Sequence, residues 1–296
     1  MGRNPFQAWS VRAAEFPATG SLRDQMLFLL RYAILAPSAW NSQPWQFHVT
    51  EEGTVEFRFD PARRMPRLDP FGRLTRIALG ASVKLFMLVA ESFGIDCETE
   101  IVPREEGVGG VVARITPQRG GFTTSMGGDL LPFITQRQQG YGEFARGELA
   151  DHIRAEIRAT LDGMAEVRFE FVTDLIARQE LSEIVADANR KLFADAGLRE
   201  ELSTWLRPTR QKAFDGLSVG SLDVGRRVSP SVLRHRADLG EAIAQRERMH
   251  TLDAPLVLVI GTEDDNPEVW PAVGGAQVVM ELIATRHHLR AAPILA

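Results

Sequence analysis

Cysteine is almost missing from this chain: Cys97 is the only one in 296 residues. A single thiol can form neither an internal disulfide nor a cysteine-based metal cluster. Its setting, Asp96-Cys97-Glu98, disfavours a thiolate, so Cys97 reads as a small buried apolar residue rather than a nucleophile. A basic surplus is absent as well. With 34 Lys and Arg against 39 Asp and Glu, the net charge is −5 and the pI near 5.8. That balance argues against DNA or RNA as the main partner. Long apolar runs are lacking too: Leu30 is followed by Arg31, Val83 by Lys84, and the uncharged run 254–261 is far shorter than the ~20 residues of a membrane span. The first twenty residues contain no apolar signal-peptide stretch and no small-residue cleavage site. The expectation is a soluble, cytoplasmic protein with no membrane partner.

What is present, 44% hydrophobic and 25% charged residues, is the composition of a globular protein, and the length favours two units. A helix is expected from Ser21, with Asp24 completing a capping box, until Pro37 stops it. Strands are expected at 45–49 and 54–60, the second with a half-buried alternation. A helix over 74–93 is apolar nearly all round and should be buried. Strands near 97–102 and 110–116 follow, with a hairpin turn at 106–110. The Gly-, Thr- and Ser-rich stretch 118–128 reads as a linker, dividing the chain into units 1–120 and 121–296. Beyond it, helices are expected at 130–139, 147–161, 174–193, 198–205 and 267–288, with strands at 167–173 and 255–262, the latter central. Residues 206–235, with Pro208, Pro230 and weak periodicity, read as an irregular functional loop or lid. Together these elements predict an α+β fold with a mostly antiparallel sheet flanked by long buried helices.

Several chemistries can be struck off. There is no GxxxxGK[ST], no GxGxxG after a strand, no HExxH and no GxSxG. His287 and His288 are adjacent, about 100° apart on a helix, and read as a solvated helix C-terminus rather than metal ligands. Asp264-Asp265-Asn266 lacks EF-hand spacing and reads as a helix N-cap. One segment stands out, Ala36-Pro37-Ser38-Ala39-Trp40-Asn41-Ser42-Gln43-Pro44-Trp45. Two prolines stiffen it, and between them sit short polar side chains. Such a loop can present preorganised donors and acceptors to a planar heteroaromatic ligand, with Trp40 and Trp45 as apolar walls. The same residues also suit a self-satisfied loop of Asx-type turns.

Tyr32-Ala33-Ile34-Leu35-Ala36-Pro37-Ser38, with Asn41, Gln43-Pro44-Trp45 and Phe47, resembles the flavin-binding signature of the nitroreductase superfamily. More narrowly it resembles the Acg-type subfamily, in which two nitroreductase-like units are fused. The stretches Arg63 to Ala81, Trp205 to Gly216 and Trp270 to Ala276 are similar to that subfamily's following block, lid and last core helix. The resemblance implies a nitroreductase-like α+β pseudo-dimer, present as a monomer or homodimer, with one FMN between the units and a lid near 206–235. It implies flavin contacts from Pro37, Ser38, Ala39, Asn41 and Gln43. Arg137 is what remains of an Arg-rich motif, Tyr141 standing where another arginine is usual, and it is the candidate cation beside the flavin. The subfamily also has a short flavin-side motif and basic residues past Pro293, where this sequence stops at Ala296. The implied activity takes hydride from NADH or NADPH and passes it to a small nitroaromatic or quinone-like acceptor, with no catalytic side chain and no metal. A flavin-storage protein whose lid prevents turnover is the alternative. A structural protein without flavin is a third reading.

Overall fold

The computed structural model describes residues 6–103, 110–118, 127–140, 143–145, 147–207, 213–222 and 228–294. Helix α1, Leu22–Ala33, starts at Ser21, whose hydroxyl accepts from Asp24 N while the Asp24 carboxylate accepts from Ser21 N, the reciprocal capping box the sequence predicts. Strands β1 (Trp45–Val49) and β2 (Val55–Phe59) lead to α2, Arg73–Ser92. The α2 N-terminus is satisfied from a distance: the buried Asp69 carboxylate accepts from Leu74 N, Thr75 N and Thr75 Oγ1. Strands β3 (Cys97–Ile101) and β4 (Val111–Pro117) complete an antiparallel sheet of order β1-β2-β4-β3. Phe57 of β2 is fully buried between Phe47 and Phe86, both rings edge-on to it. Residues 106–109 of the expected hairpin turn and 119–126 of the linker lie outside the described residues.

The rest of the chain supplies α3 (Gly127–Ile134), α4 (Asp151–Asp162), β5 (Arg168–Val172), α5 (Leu175–Ala194) and α6 (Ala196–Ser203). Two-residue strands β6 (Leu206–Arg207) and β7 (Leu217–Ser218) pair in parallel, and α7 (Pro230–His235), α8 (Leu239–Asp253), β8 (Val257–Gly261) and α9 (Trp270–Arg286) follow. Four expectations are corrected here. Helix α3 ends before Gln139, because 139–140 leave it to pair with the end of the chain: Gly140 N donates to Ala291 O at 2.9 Å. The described part of 206–235 is not irregular throughout, since β6, β7 and α7 lie in it. Helix α8 falls where no element was expected, because its buried face includes His250 and Thr251 and so breaks the apolar periodicity. Strand β8 is not central: among the described strands it pairs only with β5, and Val259 is 47% exposed.

The His287 reading is also revised. Rather than being solvated, its ring lies half-buried with Nε2 2.7 Å from Glu156 Oε2, tying the end of α9 to α4. The N-cap expected from 264–266 is not made: Val269 stands at the N-cap of α9 without a side-chain bond, Asn266 instead accepts from Glu268 N and Val269 N in the turn ahead of the helix, and Asp265 takes the Trp270 indole N–H. Cys97 is half-buried, and burial with Asp96 and Glu91 nearby pushes its thiol up to about 12, so it is inert at neutral pH. No helix among the described residues is long and apolar enough to cross a membrane.

Two apolar cores result. The larger joins α1, α2, the four-stranded sheet, α3, α4 and α9. The smaller is built from α5, α6, α7 and α8, and it takes Ala39 and Met65 from the first part of the chain. Helices α2 and α9 cross inside the larger core with their backbones touching. A Cβ at Gly80 would stand 2.0 Å from Pro271 O, and one at Gly274 would stand 1.8 Å from Ile77 O. No side chain can occupy either point without driving the helices apart. Gly274→Ala is therefore expected to destabilise the protein by about 3 kcal/mol or more, at or above the usual range for overpacking. Urea denaturation checks this against Gly261→Ala, whose new methyl meets nothing within 4 Å. Similar losses for both variants would show that the crossing tolerates separation.

Candidate functional site

The connection from α1 to β1 is held in an unusual backbone. Trp40, Asn41 and Gln43 have φ of 54°, 49° and 50°, in the left-handed region that costs non-glycine residues about 1–2 kcal/mol each. The loop is fixed from within: Asn41 N donates to Ser38 O at 2.9 Å, Ser42 N to Ala39 O at 3.0 Å and Gln43 N to Ser38 Oγ at 3.0 Å. Strain so thoroughly over-determined is characteristic of ligand clamps and switches.

The loop points two ways. Pro37, Ser38, Ala39 and Trp40 line a cleft between the two cores. Its lining is mainly apolar, with Leu68, Leu74 and Ile77 from the first part of the chain and Leu192, Leu198 and Leu202 from the second. Polar side chains enter at separate points: Ser38 from the loop, Asn189 from α5, Gln277 from α9 and the Arg246–Glu247 pair from α8. Leu217, Ser221 and Leu222 cover it from the 213–222 segment. With that cover in place the cavity is ≈ 150 Å³, below the ~300–1,000 Å³ typical of small-molecule pockets.

Asn41 and Gln43 turn away from the cleft and hold the cover down. Asn41 Nδ2 donates to Gly216 O at 3.1 Å and Gly216 N donates to Asn41 O at 3.0 Å, while Gln43 Nε2 donates to Phe214 O. Gly216 has φ +73°, and a Cβ there would stand 2.4 Å from Trp205 O, so the contact demands glycine. Between these bonds, Asp215 is gripped by Arg63 Nη1 and Arg207 Nε, each at 3.0 Å, and Arg63 also donates to Ser42 O at 2.8 Å. The segment expected to be a lid is thus latched onto the loop expected to bind flavin. Trp45, expected as a cleft wall, is instead buried in the larger core on β1.

Arg137 is not among the cleft-lining residues. It is 6% exposed, with Nη1 2.5 Å from Glu281 Oε2 and Nη2 donating to Leu35 O at 2.7 Å, and it lies 5.9 Å from the Trp9 ring centroid. Its charge is spent on Glu281. What it does for the site is to tie the approach to Pro37 onto α9. Arg246 is the cation among the described lining residues, bonded to Glu247 and to Leu222 O. Asn189, Arg246, Gln277 and Glu281 were not singled out from sequence. A signal existed for two of them, since Gln277 and Glu281 are polar residues one turn apart on an otherwise apolar helix.

The geometry defines an α+β chain with an apolar-walled, polar-tipped cleft between two cores, closed by a latched segment. No protein-family model matches this sequence, and no curated protein matches it at a significant level.

Burial works against the ionised form of Asp215, but the Arg207 and Arg63 guanidiniums outweigh it and hold the carboxyl below its usual range. A lowered folded-state value means the latch contributes fully above the unfolded carboxyl pKa of about 3.9 and is lost as pH falls through the folded one. At pH 7, Asp215→Asn is expected to speed chymotrypsin cleavage after Phe214, which is 53% exposed, by about 5- to 30-fold, the range for ~1–2 kcal/mol. Equal cleavage of both proteins would mean that the ion pairs do not hold the segment.

Proposed function

We propose that this protein is a flavin-dependent oxidoreductase of nitroreductase type, binding FMN in the cleft between its two cores. The observation that carries this reading is the loop 37–43, strained at Trp40, Asn41 and Gln43, whose Pro37, Ser38 and Ala39 line one cleft together with Asn189 and Gln277 from the other half of the chain. The donor set suits an isoalloxazine: flat apolar surfaces for the ring, with a hydroxyl and side-chain amides for its polar edge. Ser38 and Gln277 would hold the ring edge and the leucines of the lining its faces, while Arg246, the cation of the described lining, would have to leave Glu247 and Leu222 O to meet a phosphate. When bound, FMN supplies the redox chemistry, accepting hydride from NADH or NADPH and delivering it to a nitroaromatic or quinone-like acceptor. The chain's own residues bind, orient and exclude water. Arg137 acts at one remove, as a positioning residue through Leu35 O and Glu281. The cytoplasm, where these nicotinamide donors are available, is the compartment that suits this chemistry.

The latched segment favours a second reading, flavin storage. With Asn41, Gln43, Arg63 and Arg207 all engaged on 214–216, the segment that brings Leu217, Ser221 and Leu222 to the cleft is held in place, which would restrict a nicotinamide's approach. One experiment separates the two. FMN is added to the purified protein, the visible spectrum is recorded, and NADPH is then introduced anaerobically. Retained flavin that bleaches supports the oxidoreductase. Retained flavin that stays yellow, and bleaches once Asp215→Asn releases the latch, supports storage. Protein that retains no flavin would refute both.

A further inference from the structure

Glu281 is 4% exposed and sits on α9 beneath the cleft. Its Oε2 is paired with Arg137 Nη1 at 2.5 Å, while its Oε1 accepts from Gln277 Nε2 at 2.9 Å and from Gln139 Nε2 at 3.4 Å. A carboxylate paired with arginine can only accept, so it draws the NH₂ end of each amide toward itself. For Gln277, which lines the cleft, this fixes Nε2 on Glu281 and leaves the carbonyl oxygen as its acceptor for a ligand. Asn189 on α5 is fixed the same way, its Nδ2 donating to Val185 O at 2.9 Å. Ser38 adds a donor, because its Oγ accepts from Gln43 N while its hydrogen remains available to a ligand. The cleft therefore has an assigned polarity: amide acceptors from α9 and α5, and a hydroxyl donor from the loop.

We propose that Glu281 is a positioning residue that locks the Gln277 carbonyl toward the cleft, and that this oxygen selects a heteroaromatic ring by accepting its N–H, in FMN the N3–H. The inference rests on the flavin reading above. In oxidised isoalloxazine N1, N5, O2 and O4 all accept, and N3 alone carries a hydrogen. An acceptor fixed by a buried ion pair can be matched by the ring at that position and at no other. Had Gln277 been free to flip its amide, it could have served N1, N5 or a carbonyl equally well, and the site would not discriminate.

The test is a pair of binding titrations on the full chain, with FMN and with FMN methylated at N3, read by flavin fluorescence. Wild type is expected to bind the methylated flavin about tenfold more weakly or worse, since one hydrogen bond to a buried acceptor is lost. Gln277→Met keeps the side-chain length but has no acceptor, and it is expected to bind both flavins with nearly equal affinity. A variant that merely disturbed packing would weaken both ligands alike and preserve the ratio, which would overturn the assignment. Glu281→Gln frees the Gln277 amide to turn and is expected to shrink the ratio as well. A folded Glu281→Gln protein that keeps the wild-type ratio would remove Glu281 from the role. Because that variant strands Arg137 in the core, Gln277→Met decides the question if it does not fold. Equal affinity of wild type for the two flavins would overturn this inference with FMN binding intact. No binding of FMN by wild type would overturn the flavin reading and this inference with it.

Discussion

The structure depends on two helices meeting without side chains between them. Where α2 crosses α9, Gly80 lies against the carbonyl of Pro271 and Gly274 against that of Ile77, so the helix backbones are themselves the packing surface. That contact fixes the relation between the four-stranded sheet, which α2 covers, and the second half of the chain, to which α9 belongs. The cleft inherits its shape from the crossing. Leu74, Ile77 and Ala78 at the start of α2 form part of its lining, and Gln277 emerges from α9 one turn beyond Gly274.

Charge is organised around the same crossing. Glu281 stands one turn past Gln277 and collects Arg137, whose other nitrogen holds Leu35 O, two residues ahead of Pro37. A single buried ion pair thus links the helix that carries an amide of the cleft to the loop that carries its hydroxyl. Burying such a pair is costly unless the remaining hydrogen-bonding positions are filled. Here Gln277 and Gln139 fill them on Glu281 and the Leu35 carbonyl takes Arg137 Nη2, while Arg137 Nε is left buried without a partner among the described residues. The outer ring of interactions, Arg63 and Arg207 on Asp215, is more exposed and correspondingly easier to break. The inner network orders the cleft and the outer one holds the 213–222 segment on the loop.

Much of this could be read in the sequence where local rules dominate. Ser21 and Asp24 announce a helix start because a capping box is made within four residues. The alternation of Val55, Phe57 and Phe59 announces a strand because a sheet buries every second side chain. The 37–44 segment could be recognised as a rigid polar loop from its prolines alone. Which way each polar group points could not. Ser38 faces the cleft and Asn41, three residues on, faces the covering segment, because Trp40 and Asn41 take left-handed φ values that no local preference demands. Helix α8 escaped because its buried face carries His250 and Thr251, and strand β8 read as central because an apolar run does not reveal how many neighbours it has.

The sequence by itself determined the α+β class, the positions of the four-stranded sheet's strands and of most long helices, and one rigid polar loop. Each of these follows from periodicity, capping or proline stiffness within a short window. The tertiary structure decided the partners. Arg137 and Glu281 are 144 positions apart, and Asn41 meets Gly216 across 175. The sequence shows that such groups are charged or polar. Only the packing of α9 on α2 determines that one arginine is consumed by a buried carboxylate, and that this carboxylate in turn sets the polarity of the cleft.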